Sequence, residues 1–152
     1  MESARPKNTG SSLKKEGCRL EPAGNMSKRL VVVDDSLTLI KKLAGFLEET
    51  MGFQVVATGT DGNQAVELYR KHRPDLITLD LTMPNKDGQA ALEEILGEFP
   101  EARVMIISAI RGPEMTKCLK IGAKGYVEKP LRFQDPQFLR DFTESLQEAL
   151  GP

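Results

Sequence analysis

The sequence predicts an α/β sandwich, doubly wound around a parallel five-stranded sheet. Five short apolar runs alternate with five stretches of helical period. Strands buried on both faces read as continuous apolar runs of this kind, not as polar alternations. Four of the runs, at 29–33, 76–79, 104–107 and 125–128, stop at residues able to do chemistry: Asp34 and Asp35, Asp80, Ser108, and, after Glu128, Lys129. Only the run at 53–57 lacks such an ending. In open parallel sheets ligands bind beyond the carboxyl ends of the strands. Three carboxylates, a hydroxyl and an ammonium are therefore expected at one rim.

Each helix carries its own signals. Ser36 stands at an N-cap position, and Leu37, Ile40, Ala44, Leu47 and Met51 recur at helical spacing until Gly52, which predicts a first helix over 36–51. The turn from Gly59 to Gly62 opens a second, with Ala65, Val66, Leu68 and Tyr69 apolar and Pro74 near its end. Asp87 and Gly88 introduce a third, with Ala91, Leu92, Ile95 and Leu96 inward, closed by Phe99 and Pro100. Pro113 fits the first position of a short fourth helix whose stripe, Met115, Cys118 and Leu119, is thin, and Gly122 terminates it. Asp135 and Pro136 start the last helix, with Leu139, Phe142, Leu146 and Leu150 at 3.6-residue spacing. Five βα units with right-handed crossovers suit the flavodoxin-like order 2-1-3-4-5. In that order the crevice lies between strands one and three, the two that end in aspartates.

Composition bounds the rest. A length of 152 residues with 39% hydrophobic content suits one domain. Residues 1–25 are rich in Ser, Gly, Pro, Lys and Glu without apolar period and read as a disordered tail, leaving 26–152 as the folded domain. Met26 could be a second start or the end of an added segment. A net charge of −1 offers no basic field for phosphate backbones, so nucleic acid is not an expected partner. Cys18 and Cys118 lack metal-ligand spacing and read as free thiols. No apolar run approaches the ~20 residues of a membrane span, and the amino terminus lacks a signal-peptide core. The expectation is a soluble cytoplasmic protein without a membrane partner.

Three carboxylates at one rim repel one another, so at neutral pH they share protons or hold a cation. Oxygen-only ligation with an open position favours Mg²⁺. Asp35 and Asp80 are the expected direct ligands, with Asp34 acting through water; the plainer reading of Asp34 and Asp35 is that they cap the first helix. Asp80 has no such plain reading, because a carboxylate closing a buried strand beside other carboxylates carries an electrostatic cost. A carboxylate oxygen beside Mg²⁺ can act as a nucleophile towards phosphorus. Lys129 and Ser108 supply a charge and a hydroxyl for the transferred group. Pro130 restricts Lys129 and can aim its ammonium into the crevice, with a cis bond open to it.

These residues resemble the receiver domain of two-component response regulators, most closely the single-domain chemotaxis type. The resemblance covers roughly residues 28–150 and rests on Val33-Asp34-Asp35-Ser36, on 80–84 running into Asp87-Gly88, on Ser108-Ala109, and on 122–130, ending in Lys129 and Pro130. It implies that Asp80 is the phosphoacceptor, taking a phosphoryl group from a phosphohistidine on a partner histidine kinase. It also implies that the Thr82 backbone carbonyl joins Asp34, Asp35 and Asp80 around Mg²⁺, while Lys129 pairs with the phosphoryl group. In the family the hydroxyl at Ser108 moves towards the phosphate and the aromatic at Tyr126 turns inward. The face of helix four, strand five and helix five then binds a downstream target, of which a flagellar motor component is one candidate. Phosphorylation adds about −1.5 to −2 charges, enough to draw a hydroxyl and reorganise its loop.

Thr82 and Ile110 occupy positions that tune phosphoryl lifetime in this family; Ile110 cannot orient water, so slow self-hydrolysis is expected. His72, the only histidine, sits at a polar helix end, which disfavours a kinase or phosphotransfer role for this chain. An aspartyl-phosphate-type phosphatase is the rival enzyme reading, but it requires an acid two residues after its nucleophile, where Thr82 stands. A phosphorelay carrier or phosphate sink fits the same residues. A flavin-binding protein is a third possibility, opposed by carboxylates that would repel the flavin phosphate unless a metal screened them. With no folded region expected after Leu150, output is expected through protein contact by a monomer, or by a dimer formed on phosphorylation through helices four and five.

Overall fold

The computed structural model describes residues 27–151; the expected tail at 1–25, with Cys18 and Met26, lies outside the described residues. The strands are β1 (Arg29–Val33), β2 (Gln54–Gly59), β3 (Leu76–Leu79), β4 (Val104–Ser108) and β5 (Gly125–Glu128). They pair in parallel in the order β2-β1-β3-β4-β5. This is the predicted flavodoxin-like arrangement, with β1 beside β3.

Alternate residues of β1 explain why the strand is apolar from Leu30 to Val33. Val31 and Val33 face a core shared with Ala65, Val66, Leu92 and Ile95, whereas Leu30 and Val32 face one shared with Leu43, Leu47, Phe142 and Leu146. Helices α2 (Gly62–His72), α3 (Gly88–Glu98) and α4 (Pro113–Ile121) therefore cover one side, and α1 (Leu37–Gly45) and α5 (Pro136–Leu150) the other. Each fully buried Leu, Ile or Phe in these layers contributes roughly 1.5–3 kcal/mol. Among the described residues no helix is long and apolar enough to cross a membrane.

Side-chain caps fix four helix starts. Ser36, Asp61, Asp87 and Asp135 accept from the backbone N–H groups of Leu39, Gln64, Ala90 and Gln137 at 2.8–3.2 Å. α4 follows Gly112 with no side-chain cap and buries only Cys118. It is the least anchored helix, as its thin stripe foretold. Leu119, expected to face inward, is instead largely exposed.

The first helix departs from expectation in two ways. The α-helical part ends at Gly45 and continues as a π-helical turn over Phe46–Thr50. That turn lays Phe46 against Phe133, with ring centroids 4.5 Å apart and planes 2° from parallel, inside a cluster completed by Phe138 and Phe142. Leu37, expected on the inward stripe, is 66% exposed, and Leu43 fills the core instead. Leu37 is the first residue of α1, beyond the end of β1 at Val33. β2 also runs two residues further than the apolar run suggested, through Gly59.

Candidate functional site

The rim between β1 and β3 gathers the predicted carboxylates. Asp34 and Asp35 follow β1 and Asp80 follows β3, and each offers an oxygen such that all three lie within 4.8 Å of one another. Asp34 and Asp80 are buried at 2% and 5% exposure, while Asp35 is open to solvent. The backbone brings them there directly: Asp80 N–H donates to the Val33 carbonyl at 3.2 Å, extending the β1–β3 ladder to the acidic residues. The reading of Asp34 and Asp35 as helix caps does not hold, since Ser36 is the cap. Asp34 Oδ1 accepts from the Ser36 N–H at 2.9 Å, which fixes its carboxylate at the head of the loop.

Lys129 closes the cluster. Its Nζ lies 2.8 Å from Asp34 Oδ2 and 3.3 Å from Asp80 Oδ2. The ammonium expected to meet a transferred group thus also answers the charge problem the sequence posed, bridging the two buried carboxylates. Lys129 N–H donates to the Ser108 carbonyl at 3.0 Å, and the Lys129–Pro130 peptide is cis. Beyond it the buried Leu131 carbonyl accepts from Lys42 Nζ of α1 at 3.2 Å.

Burial holds the Asp80 carboxyl above the ordinary carboxylate range; Lys129 pulls it down and Asp34 pushes it further up, with Lys129 and the Thr82 N–H donating to it. Burial lowers the Lys129 ammonium, but hydrogen bonds and charge from Asp34 and Asp80 outweigh it and raise it overall. Burial thus disfavours the charged form of the Asp80 carboxyl, which stands beside a cation that stays charged. Oxygen donors of this number and openness suit a hard divalent cation better than a soft one. The same residues leave one acidic side, that of Asp35, facing solvent.

The remaining predicted residues also converge on the rim. Ser108 is buried at the end of β4, and its Oγ accepts from the Ile110 N–H at 3.1 Å. The Tyr126 hydroxyl donates to the Ile110 carbonyl, so one peptide segment links the two side chains. Burial holds the Tyr126 hydroxyl above its ordinary range, with the Ser108 hydroxyl opposing. Thr82 turns its side chain to solvent, and Ile110 packs against the core.

What the sequence did not single out is the support of the β3–α3 loop. Gly88 is required there: a Cβ would stand 2.1 Å from the Asp80 carbonyl oxygen, and its N–H donates to the Leu81 carbonyl at 3.0 Å. Only glycine lets the loop return this closely behind the acidic residue. Asp61, which in the sequence merely lay within the 59–62 turn, caps α2 and also accepts from Asn85 Nδ2 at 2.7 Å.

Comparison with known proteins places this geometry. The chain matches the response regulator receiver domain family over residues 30–137. It is 38% identical to the chemotaxis protein CheY of Bacillus subtilis, covering 80% of this chain and 99% of that protein. It is 44% identical to the CheY of Treponema pallidum, covering 68% and 73%. A protein-glutamate methylesterase/protein-glutamine glutaminase of Oleidesulfovibrio alaskensis is 42% identical, but the match spans only 28% of that enzyme. Among solved structures, CheY in the CheX-CheY-BeF3-Mg+2 complex of Borrelia burgdorferi superposes with a TM-score of 0.72 at 33% identity, covering 82% of this chain and 92% of that one. The rim chemistry and the match over most of its length agree: this chain belongs to the response regulator receiver domain family.

Proposed function

We propose that the chain is a phosphorylation-activated switch of a two-component system acting in chemotaxis, with Asp80 as its phosphoacceptor and a histidine kinase as its donor. The observation that carries this is the joining of three strand ends at one point: Asp34, Asp35 and Asp80 within 4.8 Å, with Lys129 between the buried pair. A carboxylate oxygen of Asp80 attacks phosphorus as the bond to the imidazole nitrogen breaks, and the electron pair returns to that nitrogen. Asp34, Asp35, Asp80 and the Thr82 carbonyl would hold Mg²⁺, which neutralises charge on the transferred group. Lys129, freed from Asp80 as that carboxylate becomes an acyl phosphate, pairs with a phosphoryl oxygen.

Ser108 and Tyr126 carry the signal outward. If the Ser108 hydroxyl swings to the new phosphoryl group, its bond with Ile110 N–H is lost, and the peptide segment around Ile110, whose carbonyl holds Tyr126, must rearrange. That peptide leads into α4, the helix with the least to hold it. The groove between α4, β5 and α5, lined by Arg111, Met115, Tyr126 and Phe138, is the surface we assign to the downstream target, in the class of a flagellar motor component. The signalling unit we assign to residues 26–152, supported by the family match over 30–137. The similarity to the CheY proteins supports the chemotactic role and a cytoplasmic setting.

Incubation with acetyl phosphate and Mg²⁺, read by intact mass, tests the reading. Wild type should gain one phosphoryl adduct and Asp80→Asn none. Equal labelling of both proteins, or no labelling of either, would overturn it.

A further inference from the structure

The loop between β3 and α3 supplies both the Thr82 carbonyl and the N–H that holds Asp80, and its outer half carries a contact of its own. Its inner half is fixed by burial of Leu81 and Met83. Its outer half turns at Asn85, which has a left-handed φ of 68°, while Lys86 N–H donates back to the Pro84 carbonyl at 2.7 Å in a three-residue turn. Backbone of this kind persists where its surroundings hold it.

The holder is the start of α2. Asp61 is 8% exposed and has both carboxylate oxygens engaged: Oδ1 accepts from the Gln64 N–H at 2.8 Å and Oδ2 from Asn85 Nδ2 at 2.7 Å. Beside it, Gly62 N–H donates to the Lys86 carbonyl at 2.9 Å, an approach so close that a Cβ on Gly62 would stand 2.3 Å from that oxygen. Lys86 is tied in turn to Glu94 of α3. A cap for α2 needs only one carboxylate oxygen, and the second is spent on a loop 24 residues away.

We infer that Asp61 and Asn85 form a latch that positions the β3–α3 loop for metal binding, making both positioning residues for the Mg²⁺ site although neither touches it. This rests on the Mg²⁺ reading given above. Outer groups that orient metal ligands typically change affinity by 10–100-fold when removed. Asn85→Gly retains the left-handed backbone and the net charge while deleting the amide. The double variant Asp61→Asn/Asn85→Asp reverses donor and acceptor, because asparagine still caps a helix and aspartate tolerates a positive φ.

Mg²⁺ affinity is measured by titration calorimetry on the full chain, with thermal midpoints recorded in EDTA. Asn85→Gly is expected to bind Mg²⁺ roughly tenfold more weakly, and the double variant to return to within about twofold of wild type. Mg²⁺ affinity unchanged in Asn85→Gly, whatever its midpoint, would reduce Asp61 to a helix cap and overturn the inference. If Asn85→Gly failed to fold, the double variant decides alone: near-wild-type binding supports the latch and loss of binding overturns it. A wild-type chain that gave no Mg²⁺ binding would instead overturn the Mg²⁺ reading itself, and the latch with it.

Discussion

Replacing Asp80 by Asn should stabilise the metal-free protein, because the charge at this position works against the fold. Asp34 and Asp35 each place an oxygen within 4.8 Å of one on Asp80. At an effective dielectric of about 20, each such pair repels by roughly 3–4 kcal/mol. Asp35 is exposed, and solvent screening cuts its share to about half. Lys129 Nζ, at 3.3 Å from Asp80, attracts by roughly 5 kcal/mol on the same scale. Attraction and repulsion nearly cancel, so burial decides the sign, in agreement with a carboxyl held above its ordinary range.

An amide of the same shape escapes that burial penalty and still accepts from the Thr82 N–H. A gain of about 1 kcal/mol is expected, within the range single stabilising substitutions supply. It should raise the thermal midpoint by roughly 3–5 °C in EDTA, followed by circular dichroism. Since the folded Asp80 holds its proton to higher pH than the unfolded residue does, the difference is absent below the ordinary carboxylate range. It grows as pH rises through the raised folded value. Mg²⁺ reverses the balance: at ten times its dissociation constant it stabilises wild type by about 1.4 kcal/mol, and a variant lacking one ligand by less. A lower midpoint for Asp80→Asn than for wild type in EDTA at pH 7 would refute the argument.

Lys129→Met leaves Asp34 and Asp80 buried without their cation, and should cost about 3–5 kcal/mol at neutral pH in urea unfolding. The deficit should shrink on acidification as Asp80 takes up a proton. It should also shrink at strongly alkaline pH, where wild type loses the contribution of Lys129 as pH rises through that residue's raised folded value. Gly88→Ala drives a methyl group into the Asp80 carbonyl and should destabilise by about 3 kcal/mol while weakening Mg²⁺ binding, both read on the same sample. The phosphorylated protein should lose its phosphoryl group slowly, since Ile110 packs on the core and offers no group to orient water. A half-life of seconds in the purified protein would contradict that.

Much of the fold was legible because its signals are local. Continuous apolar runs and capped amphipathic stretches each lie within a dozen or so residues, and the rule that parallel strands meet ligands at their carboxyl ends turns a run's last residue into a rim residue. That sufficed for Asp34, Asp35, Asp80, Ser108 and Lys129. The misses lie where a neighbour distant in sequence decides. Phe46 opens a π-helical turn and stacks on Phe133, and Leu37, the first residue of α1, is exposed.

The amino-acid order by itself determined the layers and the set of groups presented at the rim, since these follow from periodicity, and its five βα units suited the strand order that the structure shows. Tertiary structure alone decided how those groups answer one another: that Lys129 reaches both buried carboxylates, that Ser108 and Tyr126 both bond the backbone of Ile110, and that Asp61 holds Asn85. Coulomb and hydrogen-bond energies depend on separations of a few ångströms, and those separations are set by packing between segments that chain order leaves far apart.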